Sequence, residues 1–482
     1  MTVVTFFTII FVILAVVGAS MLLPLAVALF CHEYGMIAPF AVPMAASFVA
    51  GAALLLSRRK QQPFSLSVRA VFLLVASVWA AICFFGTVPL VASGCFPSFT
   101  DALFEAVSGF STTGATVLGD VEALPRSINL WRCEMHWLGG MGVIALTVAL
   151  LPLLGVGGFA LIKAESTGVE KGKITPKIAN TAKTLWVLYL GFTVAQTLLL
   201  LICGMDVVDA LSYAFSTMGT GGYATRNESI AAYNSHTIEA VCTLFMFLGG
   251  INFTMYFYLI VRRFSEVKRN SELKAYIGLF VTATVGIALL LVRYYGSFGK
   301  ALRYAVFQVA SIMTTTGFST ADYTLWPQSA QIILFGLFFI GGCAGSTSGG
   351  FKVVRWVILA KQAKNEIMRM LHPHGVFTVS LNGQPGRKDL VFNVAAFIYV
   401  YLIVIAITSF IGTIAGLHVY TAITVAFSMV QNVGPAFDEL GPEINYGFLP
   451  AWLKWWYCFV MLAGRLELYN LIIFFVPDYW KK

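Results

Sequence analysis

The chain has 482 residues, 59% of them hydrophobic and 11% charged, with a formal net charge of +9. That balance, with a mean hydropathy of +0.82, excludes a soluble fold of two or three domains and makes the bilayer the solvent. The basic excess sits in loops between apolar runs and not in a stripe interleaved with exposed aromatics, so it reports topology and gives no sign of nucleic acid as a partner.

In chain order, the first apolar stretch, Thr2 to Phe30, is too long for a signal-peptide core and lacks a charged amino-terminal flank, which makes it a retained transmembrane helix. With it, runs of spanning length are expected at 3–30, 36–57, 69–92, 131–161, 184–204, 236–261, 275–295, 329–361, 390–416 and 452–476. Four shorter amphipathic segments, 98–110, 207–218, 300–313 and 419–430, cannot cross a bilayer and fit re-entrant pore helices. The eight cysteines are scattered through apolar runs without a CxxC pair and read as buried small hydrophobes.

Each short segment runs into a serine followed six positions later by a glycine: Ser108 and Gly114, Ser216 and Gly222, Ser311 and Gly317, Ser428 and Gly434. A second mark, Gly140, Gly250, Gly342 and Gly464, lies 26, 28, 25 and 30 residues beyond those glycines. Two landmarks recurring in phase four times indicate an internal fourfold repeat. The predicted architecture is an all-α polytopic membrane protein, with four helix–pore helix–filter–helix repeats around one pore, preceded by two extra transmembrane helices. Its units fall at 1–62 (the leading helices), 63–175, 176–270, 271–375 and 376–482 (pore repeats one to four).

A pore helix whose carboxyl end faces an axis brings partial negative charge to a cation there. The carbonyls of Thr112, Thr113, Thr220, Gly221, Thr315, Thr316, Asn432 and Val433, with Gly114, Gly222, Gly317 and Gly434, form the expected coordinating set. A carbonyl filter of this kind favours potassium over sodium. Small residues also let membrane helices approach closely, and that plainer reading is kept for the GVGG stretch, Gly155 to Gly158, which has no preceding strand or partner acid for nucleotide binding.

Charge orients the chain. With both termini cytoplasmic, 23 of the 31 basic residues fall inside, among them Lys352, Arg355, Lys361, Lys364 and Arg369. The outer side then carries Asp101, Glu105, Asp120, Glu122, Asp206, Asp209, Asp322, Asp438 and Glu439, either a cation-concentrating vestibule or ordinary solvated surface.

At this level of detail the chain resembles the TrkH/TrkG membrane subunits of bacterial Trk potassium-uptake systems, in the Trk/Ktr/HKT superfamily. The resemblance covers nearly the whole length and rests on Leu138 to Gly158, TTTGFST, GGCAGSTSGGFK (Gly341 to Lys352), NVGP and GRLELYN (Gly464 to Asn470). It implies potassium as the transported ion with no organic cofactor, a homodimer in the bacterial inner membrane among lipid, and a cytosolic TrkA-type nucleotide-binding ring as regulator. The basic surface of Arg262, Arg263, Lys268, Arg269, Lys361, Lys364 and Arg369 would be its dock. A sodium/potassium transporter of the same superfamily is the alternative within that resemblance.

A gate is expected at AGSTSGG, which is Ala344, Gly345, Ser346, Thr347, Ser348, Gly349 and Gly350, seven small residues that should break a helix in mid-membrane. Arg465 is placed at the corresponding depth of the fourth repeat, where a charge is costly and so points to function; Glu467, from an adjacent helix, would neutralise it on the blander reading. In the family that the segment resembles, an intramembrane loop and an arginine obstruct the pore beneath the filter. An intramembrane enzyme built on Ser346 lacks a base, since His136 and His236 read as lying toward outer helix ends and His372 and His374 in a cytoplasmic loop. An ion-sensing receptor on the same fold is the remaining rival from another class.

Overall fold

The computed structural model describes residues 3–57, 68–142, 178–385 and 389–481. The GVGG stretch, the second cytoplasmic loop through Lys177, and Arg58 to Lys60 lie outside them. The described chain is helical apart from two two-residue strands, Ser380–Leu381 and Gln384–Pro385, joined through Asn382 and Gly383. Both turn residues have positive φ, as the two-residue turns that match strand twist require.

The leading helix Val3–Ser20, continued by Leu22–Phe30, packs on Ile37–Ser57 and on Val68–Ala92. Each repeat then opens with a long apolar helix: Val68–Ala92, Ile178–Ile202, Ser271–Tyr295 and Asp389–Ile414, of 25, 25, 25 and 26 residues. At 1.5 Å per residue such lengths clear the roughly 30 Å hydrocarbon layer. A pore helix follows each of them, at Phe99–Phe110, Val207–Gly219, Phe298–Met313 and Val419–Gln431, within two residues of expectation. These four are nearly enclosed by protein, as re-entrant helices with polar ends must be.

Among the described residues the second helix of each repeat is interrupted, as expected for the third from its run of small residues and against expectation for the other three. Arg126–Gly140, His236–Gly249, Gln328–Leu337 and Ala451–Arg465 have 15, 14, 10 and 15 residues. The second resumes as Phe253–Ile260 after a bend of 92°, the fourth as Tyr469–Phe475 after 116°. In the third the break is longer, with helix resuming only at Val353. At the second glycine mark of the first and fourth repeats the backbone touches the carboxyl end of a pore helix. A side chain on Gly139 would strike the Phe110 carbonyl, one on Gly140 the backbone of Gly219 and one on Gly464 the Val430 carbonyl, whereas one on Gly250 would strike the Tyr276 hydroxyl and then the Thr314 side chain. Close approach therefore requires glycine, and glycine lets the helix end.

Packing sets the order around the axis. Arg126–Gly140 lies on the second pore helix, His236–Gly249 on the third and Ala451–Arg465 on the first. The loops that follow the filter segments join neighbours in the same sequence: Asn227 accepts from the Val121 N–H at 2.8 Å, Ser229 faces Ser319, Tyr323 donates to the Ala436 carbonyl at 2.7 Å, and the Tyr446 N–H donates to Thr116 at 2.8 Å.

Candidate ion-conducting site

Each pore helix ends in the same capping motif. The N–H groups of Thr113, Gly221, Thr316 and Val433 donate to the carbonyls of Ser108, Ser216, Ser311 and Ser428 at 2.9, 2.9, 2.8 and 3.0 Å, the six-to-one bond of a Schellman cap. It is the carbonyl of the repeated serine that all four repeats use. The cap places Thr112, Thr220, Thr315 and Asn432 in the left-handed region, at φ of 57°, 53°, 56° and 58°. Asparagine tolerates this conformation, whereas for β-branched threonine it costs roughly 1–2 kcal/mol. Three strained threonines in register mark a functional backbone.

Two residues on, Gly114, Gly222, Gly317 and Gly434 take φ of 80°, 88°, 83° and 97°. They also interlock. The space a side chain on Gly114 would need is filled by the Gly221 carbonyl oxygen, on Gly222 by that of Thr316, on Gly317 by that of Val433, and on Gly434 by that of Thr113. These four contacts form a closed cycle, repeat one to two to three to four to one. The four segments thus converge on one axis, each middle carbonyl seated against the next repeat's glycine.

The four quarters are unequal. The Gly434 carbonyl accepts from Ser428 Oγ at 2.8 Å and from the Tyr446 hydroxyl at 2.7 Å, so both its lone pairs are used and it leaves the expected ligand set. Asn432 donates its amide to Thr113 Oγ1 and to the Met461 carbonyl, each at 2.9 Å, tying the fourth filter to the first. Behind the first two filters stands a polar bracket. Arg132 pairs with Glu105 at 2.6 Å with both side chains buried, and lies over the Tyr223 ring at 4.3 Å. The Tyr223 hydroxyl reaches the Glu105 carbonyl at 2.8 Å. His136, expected near an outer helix end, is instead fully buried against this bracket. Its Nδ1 lies 2.8 Å from the Gly109 carbonyl, its ring is 4.2 Å from Tyr223, and it occupies the room a side chain on Gly221 would need.

Most of the acidic residues expected around the filters are paired. Asp101 pairs with Lys454, Glu105 with Arg132, Glu122 and Asp209 with Arg226, and Asp206 with Arg126. Asp120 is exposed and accepts from the Asn227 amide, which holds its carboxyl below the ordinary range.

On the opposite side from the loops that follow the filters, against the first filter residues, lies the segment 343–352. The Gly349 N–H donates to Thr315 Oγ1 at 2.7 Å and the Phe351 N–H to Gln431 Oε1 at 2.7 Å. The Cys343 N–H donates to the Gly250 carbonyl at 2.8 Å and Thr347 Oγ1 to that of Gly249 at 3.1 Å. Gly345 and Gly350 have φ of 74° and 71°, which is how so short a stretch turns back on itself. Arg465 donates to the Thr347 carbonyl at 2.9 Å and to those of Gly139 and Gly140 at 2.5 and 2.9 Å. Repeats one and three are diagonal in the ring, so a guanidinium on repeat four that reaches both stands close to the axis. Glu467 does not neutralise Arg465; it pairs with Arg355 at 2.9 Å.

Sequence reasoning missed Lys352, which it counted among exposed cytoplasmic charges. Only 3% exposed, its ammonium donates to the Ser348 and Gly349 carbonyls and so stiffens the loop from within. Its one visible signal was a lysine directly after a run of small residues.

Comparison with known proteins decides the family. The model of the TrkH cation transport protein family matches residues 38–482. The chain belongs to the TrkH family. As a relative of family members it is 36% identical to the Trk system potassium uptake protein TrkH of Halomonas elongata over 98% of both chains, and 36% identical to TrkH of Escherichia coli K12 over 88% of both. Trk system potassium uptake protein TrkG of Escherichia coli K12 is 33% identical, over 96% of this chain and 95% of that one. The fold likewise follows the family: the crystal structure of the potassium transporter TrkH from Vibrio parahaemolyticus superposes with a TM-score of 0.87 at 32% identity, over 100% of both chains. This TrkH-family chain is thus a multi-pass membrane transport protein and not an enzyme.

Proposed function

We propose that the chain takes potassium ions into the cell across the bacterial inner membrane; potassium uptake is what the names of its relatives state for them. The observation that carries this reading is the closed cycle of four glycine–carbonyl contacts. Left-handed and glycine residues in alternation stack carbonyls along one axis, where they replace the hydration shell of a weakly hydrated cation. The coordinating carbonyls are those of Thr112, Thr113, Thr220, Gly221, Thr315, Thr316, Asn432 and Val433, with those of Gly114, Gly222 and Gly317. Gly434 contributes room for the Thr113 oxygen.

The segment Ala344 to Gly350 and Arg465 close the path under the filter. The loop fills space, and the guanidinium adds a positive barrier in low dielectric. Both termini are cytoplasmic, and the working form is a homodimer among lipid. Opening is controlled by a cytosolic TrkA-type nucleotide-binding ring at the basic loops around Arg262, Arg263, Lys361, Lys364 and Arg369. The test is potassium and sodium flux into liposomes holding the purified chain, under imposed voltage and proton gradients, with and without the ring and ATP, ADP or NAD(H). Potassium flux that runs on voltage alone and responds to the ring supports the reading. Flux carried equally by sodium, or none under any condition, overturns it.

A further inference from the structure

Helix Ser271–Tyr295 opens the third repeat, and its second residue is an acid, Glu272, that is only 7% exposed. An acid in a first helical turn is ordinarily solvated and favourable to the helix dipole. This one is turned into the protein, where its Oε1 accepts the Ala344 N–H at 2.7 Å and the Val354 N–H at 3.0 Å. Those two donors are the feet of the loop: Ala344 is where it departs, and Val354 stands where helix resumes. One oxygen therefore gathers both ends of a ten-residue detour, through charge-assisted bonds that are about twice as strong as neutral ones. Further restraints on the loop come from neutral groups, from the Lys352 ammonium within it and from Arg465 across the axis.

The acid also has a connection to the cytoplasm. The N–H of Ser271, its neighbour, donates to Asn382 Oδ1 at 2.7 Å, and the Asn382 N–H returns to Ser271 Oγ at 3.4 Å. Asn382 is in the turn of the small hairpin, whose Ser380 carbonyl accepts from Lys361 on the helix that follows the loop.

We propose that Glu272 is the latch of the loop, a positioning residue that holds both feet of 343–352 in the closed arrangement and releases them when the path opens. The inference deepens the gate reading above and rests on it. A residue shifts such an equilibrium only if it binds the two states unequally. Removing bonds present only in the closed state therefore raises basal flux, the opposite of what a misfolded or merely weakened protein does.

The experiment compares potassium flux from liposomes containing the full chain as parent, Glu272→Ala, Glu272→Gln, Glu272→Asp and a variant lacking Gly345 to Gly349, each checked for a single symmetric elution peak. Glu272→Ala should raise basal flux at least about tenfold, the shift expected if even one of its two charge-assisted hydrogen bonds is lost from the closed state alone. Glu272→Gln keeps a carbonyl oxygen that accepts both N–H groups and should stay within about threefold of the parent. Glu272→Asp, one methylene shorter, should fall between, and it carries the test if the alanine variant does not insert. Flux raised by the loop deletion but not by Glu272→Ala or Glu272→Asp overturns the latch and leaves the gate standing. Flux raised by none of them overturns the gate reading itself.

Discussion

A single methyl group on a filter glycine tests the interlocked ring, because the four positions are not equally tight. An alanine Cβ at 114 would lie 1.9 Å from the Gly221 oxygen, and at 434 it would lie 2.4 Å from the Thr113 oxygen, against a floor of 3.0 Å for such contacts. The neighbouring carbonyl must retreat by about 1.1 Å in the first case and about 0.6 Å in the second. The left-handed strain of roughly 1–2 kcal/mol is common to both, so their difference isolates the carbonyl displacement. With about half an elementary charge on the oxygen, an ion about 2.8 Å away and an effective dielectric near 20, these retreats weaken attraction by about 0.8 and about 0.5 kcal/mol. Half-saturating potassium should therefore rise about fourfold for Gly114→Ala and about twofold for Gly434→Ala. The assay is the concentration dependence of potassium flux in liposomes, on variants with parental elution profiles. Equal shifts, or a larger one at Gly434, would refute the cyclic packing as the determinant of ion affinity.

Arg465→Ala removes three donors and a positive charge near the axis, and basal potassium flux should rise several-fold, while Arg465→Lys restores part of the block; patch recording of both variants decides it. Asn432→Ala deletes the tie between the fourth and first filters, so the potassium-to-sodium permeability ratio should fall, and an unchanged reversal potential in mixed salts would show that the tie is dispensable. Glu105→Gln leaves the buried Arg132 guanidinium without its counter-charge, a loss of about 3–5 kcal/mol, and thermal unfolding followed by fluorescence-detected elution should show a drop that Asp120→Asn, at an exposed site, does not.

Much of this arrangement was legible in the chain, because a pore helix and its cap are local events. Ser311 to Gly317 spans a single capping motif, and its repetition at Ser108, Ser216 and Ser428 fixed where the backbone leaves each helix. The breaks in the second helices were not legible outside the third, since an apolar run such as 236–261 reads as one span until Gly250 is known to be crowded by the Tyr276 hydroxyl and the Thr314 side chain. The pairings were hidden for the same reason. Whether an acid meets Arg465 or Arg355 depends on how a chain closes over more than a hundred residues, and Glu467 is nearer in sequence to the arginine it does not touch. Lys352 and His136 were misplaced because polarity alone sent them to the surface, whereas a break in the membrane and a crowded filter gave them partners inside.

The cycle of four glycines has a consequence for inheritance. In a pore assembled from four identical subunits, one codon change strikes every quarter at once, so most variants are lethal together or neutral together. Here each quarter has its own codons. Asn432 could replace a threonine, the Gly434 carbonyl could turn aside, and the third repeat could acquire a ten-residue loop with a lysine inside it, while the ring stayed closed. Unequal quarters are a way for mutation to explore one side of an ion path at a time.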